Sequence, residues 1–507
     1  MAEIAHFDLV IIGGGINGAG IARDAAGRGL SVLLLEKNDL ASATSSASSK
    51  LIHGGLRYLE QYEFRLVAEA LTEREVLLNI APHLVHPLQF VMPHVPELRP
   101  RWMIRAGLYL YDHLGRRTRL PASHGVNLQT SPLGAGLKPA FAKGFAYADC
   151  RVDDTRLVIA NALSARQVGA RIELHTECLR AGRTPGGWEV EVQNNDGVKR
   201  VISARVLVNA AGPWVKEVLN ERLHQASEDQ VKLVKGSHIV VPRHYDGEHA
   251  YILQNDDRRV VFMIPYEQRF TLIGTTDVAM HEDPANPIVT ADEVAYLCQA
   301  ASKYFTQSLE PADVVWSYAG VRPLYDDGTA NPSAITRDYT LRLDAEGKEA
   351  PVLSVFGGKI TTYRRLAEHA LEKLKAWFPE MRSAWTATTP LPGGEFESGF
   401  EEFTERELMH SYPWLSASLR RALARRHGTI TREILHNARC MEDLGVSFGA
   451  ELFAREIDYL IEHEWARTAE DILFRRTKTG LHLTVQQCEA VADYVAARVP
   501  GALLPVR

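Results

Sequence analysis

Cysteine is scarce in this sequence. Its 507 residues include five cysteines, which are far apart and never form a Cys-x-x-Cys pair: Cys150, Cys178, Cys298, Cys440 and Cys488. An odd number of scattered thiols argues against a disulfide framework and against a zinc site. We therefore expect reduced thiols, a cytoplasmic compartment and no bound metal.

The sequence also lacks a long apolar run and an excess of positive charge. No stretch approaches the roughly 20 apolar residues that a membrane-crossing helix needs, so any membrane attachment must be peripheral or monotopic. The first residues, MAEIAHFDLV, contain no basic region followed by an apolar core, which predicts that no secretory signal is present. A net charge of −6 gives no reason to expect nucleic acid as a partner.

The remaining composition is that of a large globular protein. Hydrophobic residues make up 46% of the chain and charged residues 24%, which is typical of a folded protein with sizeable cores. The chain is too long for one ordinary domain, so several are expected.

A glycine motif near the N-terminus predicts a dinucleotide-binding unit. Residues 8–12 (DLVII) form a short apolar run that leads into Gly13-x-Gly15-x-x-Gly18. In a strand–turn–helix unit these glycines allow a tight turn, close approach of a pyrophosphate and close packing of the helix. The helix, predicted over about residues 17–29, directs its free N–H groups at the phosphates.

The next strand supports this interpretation. Residues 31–35 (SVLLL) end at Glu36, which lies about twenty residues after the glycines, where a carboxylate accepts hydrogen bonds from an adenosine ribose. Residues 40–50 (LASATSSASSK) then form a run of small hydroxyl side chains. Such a run suits a loop wrapped against phosphate and ribose oxygens, and the alternative is a flexible serine-rich linker.

The segment ATSSASSKLIHGGLRYLE at 43–60, together with the glycine motif, resembles the N-terminal part of the FAD-dependent glycerol-3-phosphate dehydrogenases. These are flavoenzymes of the glycine oxidase and D-amino-acid oxidase type. Further matching motifs follow in family order: NAAGPW at 209–214, KGSHI at 235–239, GTTD at 274–277, GVRPL at 320–324 and FGGKITTY at 356–363. The C-terminal region is similar to the bacterial, aerobic, respiratory branch of that family.

The resemblance implies an α/β fold with three parts. A Rossmann-like FAD-binding domain of the glycine/D-amino-acid oxidase type would comprise residues 1–88, 150–225 and 352–385. A β-rich substrate domain, or cap, would comprise 89–149 and 226–351, and a helical domain would occupy 390–507. Local patterns agree, because 231–277 is dense in β-forming residues and helical spacing dominates beyond 390.

The segment from Arg99 to Arg119 (RPRWMIRAGLYLYDHLGRRTR) has an unusual composition. Aromatic and aliphatic residues crowd a short predicted helix, and six arginines flank it against a single acid, Asp112. An apolar face with a basic rim suits a helix that rests in an anionic lipid surface. The alternative is a helix buried at a dimer or domain interface with its arginines reaching water; the family resemblance favours the membrane.

The resemblance and the glycine pattern together give a set of predicted FAD contacts, with the cofactor held non-covalently. Gly357-Gly358 at the start of a helix would direct N–H groups at the pyrimidine end of the flavin. The predicted cofactor-binding residues are Gly13, Gly15, Asn17, Gly18, Glu36, Thr44, Ser45, Ser46, Ser49, Lys50, Leu51, Gly55, Gly212, Gly358, Lys359 and Thr361.

A phosphate-bearing substrate requires cations, among which arginine is favoured for its bidentate geometry. The predicted substrate-binding residues are Arg57, Tyr58, Thr275, Arg322 and Lys359. Each cation taken alone is more often a surface charge, and the matched motifs are what unite them.

The predicted catalytic residues are His53, His238 and Arg322. Either histidine is a plausible base because histidine titrates near the working pH, and a core or phosphate-positioning role is equally compatible with each. Arg322 would polarise the developing alkoxide, since at its usual pKa it is a poor base.

From the residues alone we expect an FAD oxidoreductase that acts on an anion. The resemblance further implies oxidation of sn-glycerol 3-phosphate to dihydroxyacetone phosphate by hydride transfer to FAD, with electrons passed to membrane quinone. It also implies a homodimer at the cytoplasmic face of the bacterial inner membrane. The alternatives are an oxidase of the same family that uses oxygen and a non-catalytic protein that senses a dinucleotide.

Overall fold

The structure is a computed structural model that describes residues 4–95, 97–115, 119–225, 230–257, 259–326, 338–345 and 350–499. Two large sheets form its centre, and helices cover them. Strands and helices are numbered along the chain, from β1 to β20 and from α1 to α13.

The first sheet has eight strands and is mainly parallel at its centre. In spatial order its main path is β17-β18-β10-β1-β2-β7, and β9 and β8 extend it from β10. The strands are β1 (His6–Ile12), β2 (Val32–Leu35), β7 (Arg171–Glu173), β8 (Thr176–Thr184), β9 (Gly187–Asn194), β10 (Lys199–Asn209), β17 (Thr340–Asp344) and β18 (Val352–Phe356). Parallel pairing of β1 with both β2 and β10 creates the strand–helix–strand unit that the glycine motif predicted.

The second sheet has ten strands and is predominantly antiparallel, with one parallel pair, β4 with β12. Its strands are β3 (Leu51–Ile52), β4 (Val85–Pro93), β5 (His124–Asn127), β6 (Lys143–Val152), β11 (Val231–Pro242), β12 (Ala250–Gln254), β13 (Val260–Tyr266), β14 (Phe270–Gly274), β15 (Val278–Met280) and β16 (Trp316–Tyr325). The β-forming residues of 231–277 predicted strands there, and β11 to β14 confirm this.

The helices surround these sheets and dominate the C-terminal part. They are α1 (Ile16–Gly27), α2 (Phe64–Ile80), α3 (Arg101–Leu114), α4 (Asp154–Gln167), α5 (Val215–Glu217), α6 (Ala291–Tyr304), α7 (Tyr363–Leu374), α8 (Phe400–Glu402), α9 (Leu408–Ser411), α10 (Ala417–His427), α11 (Thr431–Leu435), α12 (Ala454–His463) and α13 (Val485–Ala496). A two-stranded hairpin, β19 (Ser447–Gly449) and β20 (Leu452–Phe453), interrupts the C-terminal helices. The predicted helical region therefore contains one short β element.

The core on each side of the first sheet follows from the two-residue period of its strands. Leu9 and Ile11 of β1 face α1 and α7, whereas Val10 and Ile12 face the β8–β9 hairpin and Trp188. Because both faces are covered, β1 and β2 are almost continuously apolar.

The domain boundaries stay a prediction. Two strands that the prediction assigns to one part of the chain pair with strands of the other sheet. Strand β3 was placed with the FAD-binding segment 1–88 and pairs with β6 of the second sheet. Strand β17 was placed in the cap and pairs with β18 of the first sheet. The tail of the helical domain, 500–507, lies outside the described residues.

Three strands continue past a change of partner or a proline. Strand β10 pairs with β9 at its start and then continues into the sheet centre, where it pairs with β1. Strand β16 continues through Gly320–Tyr325; as an edge strand paired with β11, it tolerates Pro323. Strand β4 contains Pro87, which lies where β4 pairs on one side only.

Helix α3 is anchored on one side and exposed on the other. Its Tyr111 hydroxyl donates to Asp149 Oδ2 at 2.7 Å, and the same carboxylate accepts from Arg74 at 2.6 Å. On the outer face Trp102 is 70% exposed and Tyr109 57% exposed. Arg116 and Arg117, part of the basic rim noted in the sequence, lie outside the described residues.

Among the helices of the described ranges, none combines the length and the apolar character that crossing a membrane requires. All five cysteines carry free thiols.

Candidate active site

The glycine turn between β1 and α1 forms the floor of a narrow cavity. A Cβ atom on Gly18 would lie 1.9 Å from the carbonyl oxygen of Gly13, so the close approach of helix and strand requires glycine there. The cavity has a volume of about 190 Å³, and its walls include Gly13, Gly15, Glu36, Ser42–Ser45 and Ala210–Trp214. The predicted dinucleotide residues Gly13, Gly15, Glu36, Thr44, Ser45 and Gly212 therefore share one space.

Glu36 is fixed at the edge of this cavity by backbone donors. Its Oε2 accepts from Gly14 N at 2.6 Å and its Oε1 from Asn38 N at 2.8 Å. Burial raises the pKa of the Glu36 carboxyl, while the amides of Asn38 and Gly14 act in the opposite direction. The carboxylate is thus held in one orientation beside the glycine turn.

The serine-rich run folds as an ordered loop, which excludes the flexible-linker reading. Ser45 Oγ accepts from Ile16 N at 3.0 Å, and Thr44 Oγ1 donates to the carbonyl of Val321 at 2.7 Å. Ser46 Oγ donates to Ala43 O at 3.1 Å within the loop. The loop therefore connects the start of α1 with strand β16.

Two residues at the end of this run contact the protein itself. Lys50 is buried, and its Nζ donates to Ser46 O at 2.9 Å and to both carboxylate oxygens of Asp154 at 2.9 and 3.0 Å. The ammonium group is thereby engaged, so a cofactor contact through it is not supported. Ser49 Oγ lies 2.9 Å from His238 Nε2. Leu51, in β3, is buried in a hydrophobic core cluster.

Asn17 joins the first turn of α1 to the second glycine pair. Its Nδ2 donates to Gly357 O at 3.1 Å, while its buried Oδ1 has no hydrogen-bond partner among the described residues. A buried polar atom without a partner is costly, so this position suits a polar ligand group. Nearby, Thr361 Oγ1 accepts from His53 N at 3.3 Å. Gly55, with a φ of +74°, precedes the short helical turn Leu56–Gln61.

Arg322 lies in β16, opposite Val234 of β11, and next to Thr275, which follows the end of β14. Its Nη2 donates to Thr275 Oγ1 at 3.1 Å, and its Nη1 pairs with Asp277. A Cβ atom on Gly236 would lie 2.5 Å from Arg322 Nη2, so a glycine there leaves room for the guanidinium. The GTTD and GVRPL motifs and the lysine–glycine pair at 235–236 thus converge on one cation.

The other two predicted cations have fewer contacts. Lys359 Nζ lies 4.0 Å from the centre of the Tyr58 ring, a cation–π contact. Arg57 is half-buried on the same turn as Tyr58 and lines a different cavity, next to Arg99 and Asn255. The contacts join Lys359 to Tyr58 and Arg322 to Thr275, and they place Arg57 to one side.

The two histidines differ in environment. His238 is buried, stacks on Tyr318 with ring centres 4.8 Å apart, and has its pKa lowered well below the usual value by burial and by the charges of Arg322 and Lys50. A buried imidazole with so low a pKa is a weak proton acceptor. His53 is half-buried beside Thr361, and its ring lies 6.3 Å from that of Phe262.

Sequence reasoning missed two carboxylates. Asp277 is the last residue of the GTTD motif and pairs with Arg322. The motif was the signal in the sequence that could have identified it, but the sequence analysis gave Asp277 no role. Asp154 pairs with Lys50 and also accepts from Ser48 Oγ at 2.7 Å. Its only sequence signal was its place at the start of a helix.

Two family models match the chain. Residues 8–364 match the model of FAD-dependent oxidoreductases, and residues 384–503 match the C-terminal domain of alpha-glycerophosphate oxidase. The prediction of a Rossmann-like FAD-binding fold of this type with a helical C-terminal domain is thereby confirmed, as is FAD as the cofactor.

Several relatives match almost the whole chain. A glycerol-3-phosphate dehydrogenase of Pseudomonas aeruginosa is 55% identical over 99% of this chain and 96% of its own. The aerobic glycerol-3-phosphate dehydrogenase of Escherichia coli is 52% identical over 96% and 97%. A D-erythritol 1-phosphate dehydrogenase of Brucella abortus is 50% identical over 97% and 98%.

A solved structure is similar over nearly the same extent. The glycerol-3-phosphate dehydrogenase from Bacillus halodurans complexed with FAD superposes with a TM-score of 0.76 and 27% identity, and the match covers 97% of this chain and 90% of the other. The glycine turn, the ordered serine loop, the two large sheets and these matches lead to one conclusion. The chain belongs to the family of FAD-dependent glycerol-3-phosphate dehydrogenases.

Proposed function

We propose that this protein oxidises sn-glycerol 3-phosphate to dihydroxyacetone phosphate with non-covalently bound FAD and passes the electrons to membrane quinone. The observation that carries the proposal is the position of Arg322. It is held by Asp277 and Thr275, and lies on the strand whose Val321 carbonyl accepts from Thr44 of the FAD loop. A cation that binds a phosphate is thereby fixed against the wall of the dinucleotide site.

The bound FAD would supply the two-electron acceptor. Gly13, Gly15, Gly18, Glu36 and the loop Thr44–Ser46 would hold its dinucleotide portion. Asn17, Gly358, Lys359 and Thr361 would border its flavin end, because Asn17 reaches the Gly357 carbonyl there. The unpartnered Asn17 Oδ1 is available as an acceptor for a cofactor N–H group.

The protein groups have separate tasks in this proposal. Arg322, Lys359, Tyr58 and Thr275 bind the substrate phosphate and orient its carbinol carbon, and Arg57 adds positive charge at the margin. His53 accepts the hydroxyl proton, since it is the more accessible of the two histidines. His238 stays neutral and positions Ser49, which lies 2.9 Å from its Nε2.

The first experiment is an anaerobic absorbance spectrum of the FAD-loaded protein before and after addition of substrate. We expect sn-glycerol 3-phosphate to bleach the oxidised flavin band, and glycerol and amino acids to leave it unchanged. D-Erythritol 1-phosphate belongs in the same series, because a relative of 50% identity is a dehydrogenase of that compound. Faster bleaching by the erythritol ester than by the glycerol ester would overturn the substrate assignment.

The same preparation tests the alternatives. An oxidase would form hydrogen peroxide in step with substrate in air, whereas a quinone-linked dehydrogenase reduces a soluble quinone analogue much faster than oxygen. A dinucleotide-sensing protein would keep its flavin oxidised with every substrate.

Helix α3 supports attachment to an anionic membrane surface. Its inner face is fixed by Tyr111, while Trp102, Met103, Tyr109 and Leu110 are exposed on the outer face beside Arg101 and Arg105. Burial of these apolar groups at the lipid interface, helped by the arginines, would hold the protein on the cytoplasmic face of the inner membrane.

A vesicle flotation assay tests this surface. The double change Trp102→Glu with Leu110→Glu should abolish flotation with vesicles containing phosphatidylglycerol and leave flavin bleaching intact. The matched control is Val446→Glu with Val485→Glu, which alters two exposed apolar residues of the C-terminal region. Equal flotation of both double variants would remove α3 from the proposal. The homodimer stays a prediction, which sedimentation of the detergent-free protein can test.

A further inference from the structure

The loop that borders the dinucleotide cavity has an unfavourable backbone conformation near both of its ends. We call residues 39–50 the cofactor loop, because residues 42–45 line that cavity. Ala41 has a φ of +57° and Lys50 a φ of +56°. Residues other than glycine rarely adopt this left-handed conformation, which persists only where surrounding contacts enforce it. The shape of the cofactor loop therefore depends on the contacts at its two ends.

The first end of the cofactor loop is held by the C-terminal region. Asp39 is buried, and it accepts from Arg475 Nε at 2.7 Å and from Arg476 Nη2 at 2.8 Å. Both arginines belong to one π-helical turn, Asp471–Arg476. Arg476 Nη2 also donates to the carbonyl of Glu464 at 2.6 Å, which ties the turn to the rest of the C-terminal region. Two guanidinium groups on one carboxylate thus fix the start of the loop.

The second end of the cofactor loop is reached by the same C-terminal segment. Lys50 pairs with Asp154 at the start of α4. The preceding residue, Asp153, accepts from Lys478 Nζ at 2.6 Å. Lys478 lies just after the π-helical turn, so residues 471–478 contact the first end directly and the second end through the start of α4.

The middle of the cofactor loop separates two cavities. Residues 42–44 line the dinucleotide cavity and also a larger one, of about 890 Å³, whose other walls include Leu473, Phe474 and Val485. None of residues 42–47 is buried. The middle of the loop therefore has little core packing to hold it, and the contacts at its ends matter more.

We propose that residues 471–478 clamp the cofactor loop and thereby set the affinity and the dissociation rate of FAD. Arg475 and Arg476 are positioning residues, which act on FAD through Asp39 and the loop. A loop that is already held in its bound shape loses less conformational freedom when the ligand binds, and this raises affinity. Coupling between two sites is reciprocal, so bound FAD must stabilise the clamp by the same factor.

FAD titration of the apoprotein, followed by fluorescence, tests the clamp. The variants are Arg475→Gln, Asp39→Asn and the combination of the two. Arg475 is the better choice of the two arginines, because its side chain is partly exposed. The matched control is Arg420→Gln, which removes a buried arginine that donates to the carbonyls of Thr404 and Leu415 within the C-terminal region.

We expect each single variant to weaken FAD binding about tenfold and to speed FAD dissociation, since couplings between sites are typically 5–150-fold. The double variant should bind FAD like Asp39→Asn alone, because both changes remove the same contact. Arg420→Gln should bind FAD like the unaltered protein. Unchanged affinity in Arg475→Gln would overturn the proposal, as would effects that multiply in the double variant.

Hydrogen exchange of the unaltered apoprotein tests the reverse direction and requires no variant to fold. Addition of FAD should slow amide exchange in residues 471–478, whereas exchange in α10 should stay the same. Equal exchange of residues 471–478 with and without FAD would contradict the clamp. Neither experiment contains substrate, so their failure would leave the proposed oxidation untouched, and a failure of that oxidation would appear only in the bleaching experiment.

Discussion

Charges at the candidate active site and charges at the joint between α4 and the C-terminal helices are arranged in opposite ways. At the joint, Arg156 Nη2 donates to Glu464 Oε1 at 2.9 Å, and Lys478 Nζ to Asp153 Oδ1 at 2.6 Å. These cations are almost completely buried and each is matched by a carboxylate. At the active site, by contrast, Arg322 is partly exposed and Lys359 has an aromatic ring as its neighbour.

Burial and pairing therefore distinguish charges that stabilise the fold from charges that remain available to a ligand. A buried ion must be compensated inside the protein, since its desolvation otherwise exceeds any gain. A cation that binds a phosphate must retain donors and some access to water. The joint accordingly lowers the pKa of Glu464 far below its ordinary value through Arg156, against the effect of burial.

The largest effect is expected from breaking the joint. Arg156→Met leaves Glu464 buried without its partner, which should lower the free energy of unfolding by about 3–5 kcal/mol. Urea unfolding measures this loss. The apparent KM for glycerol 3-phosphate should stay unchanged, because Arg156 lies outside the substrate site.

Two further observations sharpen this prediction. Arg421→Gln breaks an exposed ion pair with Glu405 and should lower the free energy of unfolding by less than about 1 kcal/mol. Glu464 has a lowered pKa when folded, so its contribution is present above the ordinary glutamate value of 4.5 and is lost as the pH falls below it. Arg156→Met should therefore flatten the loss of stability on acidification, and an unchanged acid profile would contradict the assignment.

At the active site, Arg322→Ala should have a large effect on catalysis and a small one on stability. Removing a positioned donor costs about 10²–10³-fold in rate, and we expect that loss in kcat/KM for glycerol 3-phosphate. Arg322→Lys keeps the charge without the forked geometry of the guanidinium. Its kcat/KM should lie between those of the unaltered protein and Arg322→Ala. If Arg322→Ala instead lowered the unfolding midpoint strongly and left kcat/KM intact, Arg322 would belong with the structural charges.

The two histidines should differ in the same way, with His53 acting in catalysis and His238 acting in the structure of the site. His53→Gln should slow anaerobic flavin reduction by about 10²-fold, because a general base contributes about 10²–10⁴-fold. His238→Gln should slow it much less, since the lowered pKa keeps His238 neutral across the working range. Stopped-flow reduction between pH 6 and 9 tests both. A larger loss of rate in His238→Gln than in His53→Gln would make His238 the base.

The sequence was sufficient to predict the elements that depend on local residue patterns. The glycine turn, the apolar strands β1 and β2 and the helix α3 all follow from short-range sequence pattern, and the structure contains them. The resemblance brought together motifs that are hundreds of residues apart, such as Asn17 and Gly357. Partners within the protein were not predictable, because pairs such as Lys50–Asp154 and Arg156–Glu464 depend on how α4 packs against distant segments. Hence Lys50, placed with the cofactor by its motif, proved to be a buried ion-pair residue.

The smallest effect concerns Glu36, which shares features of both regions. It is half-buried and bound by backbone N–H groups as a structural carboxylate would be, yet it borders the cavity assigned to the dinucleotide. Glu36→Gln keeps the shape but removes the charge that a ribose hydroxyl would donate to, and should weaken FAD binding about tenfold. FAD titration of the apoprotein followed by fluorescence measures the change, and kcat at saturating FAD should be preserved. The control is Glu173→Gln at the end of the neighbouring strand β7, where the carboxylate pairs with Arg200. An equal loss in both variants would mean that Glu36 supports the sheet edge and does not recognise the cofactor.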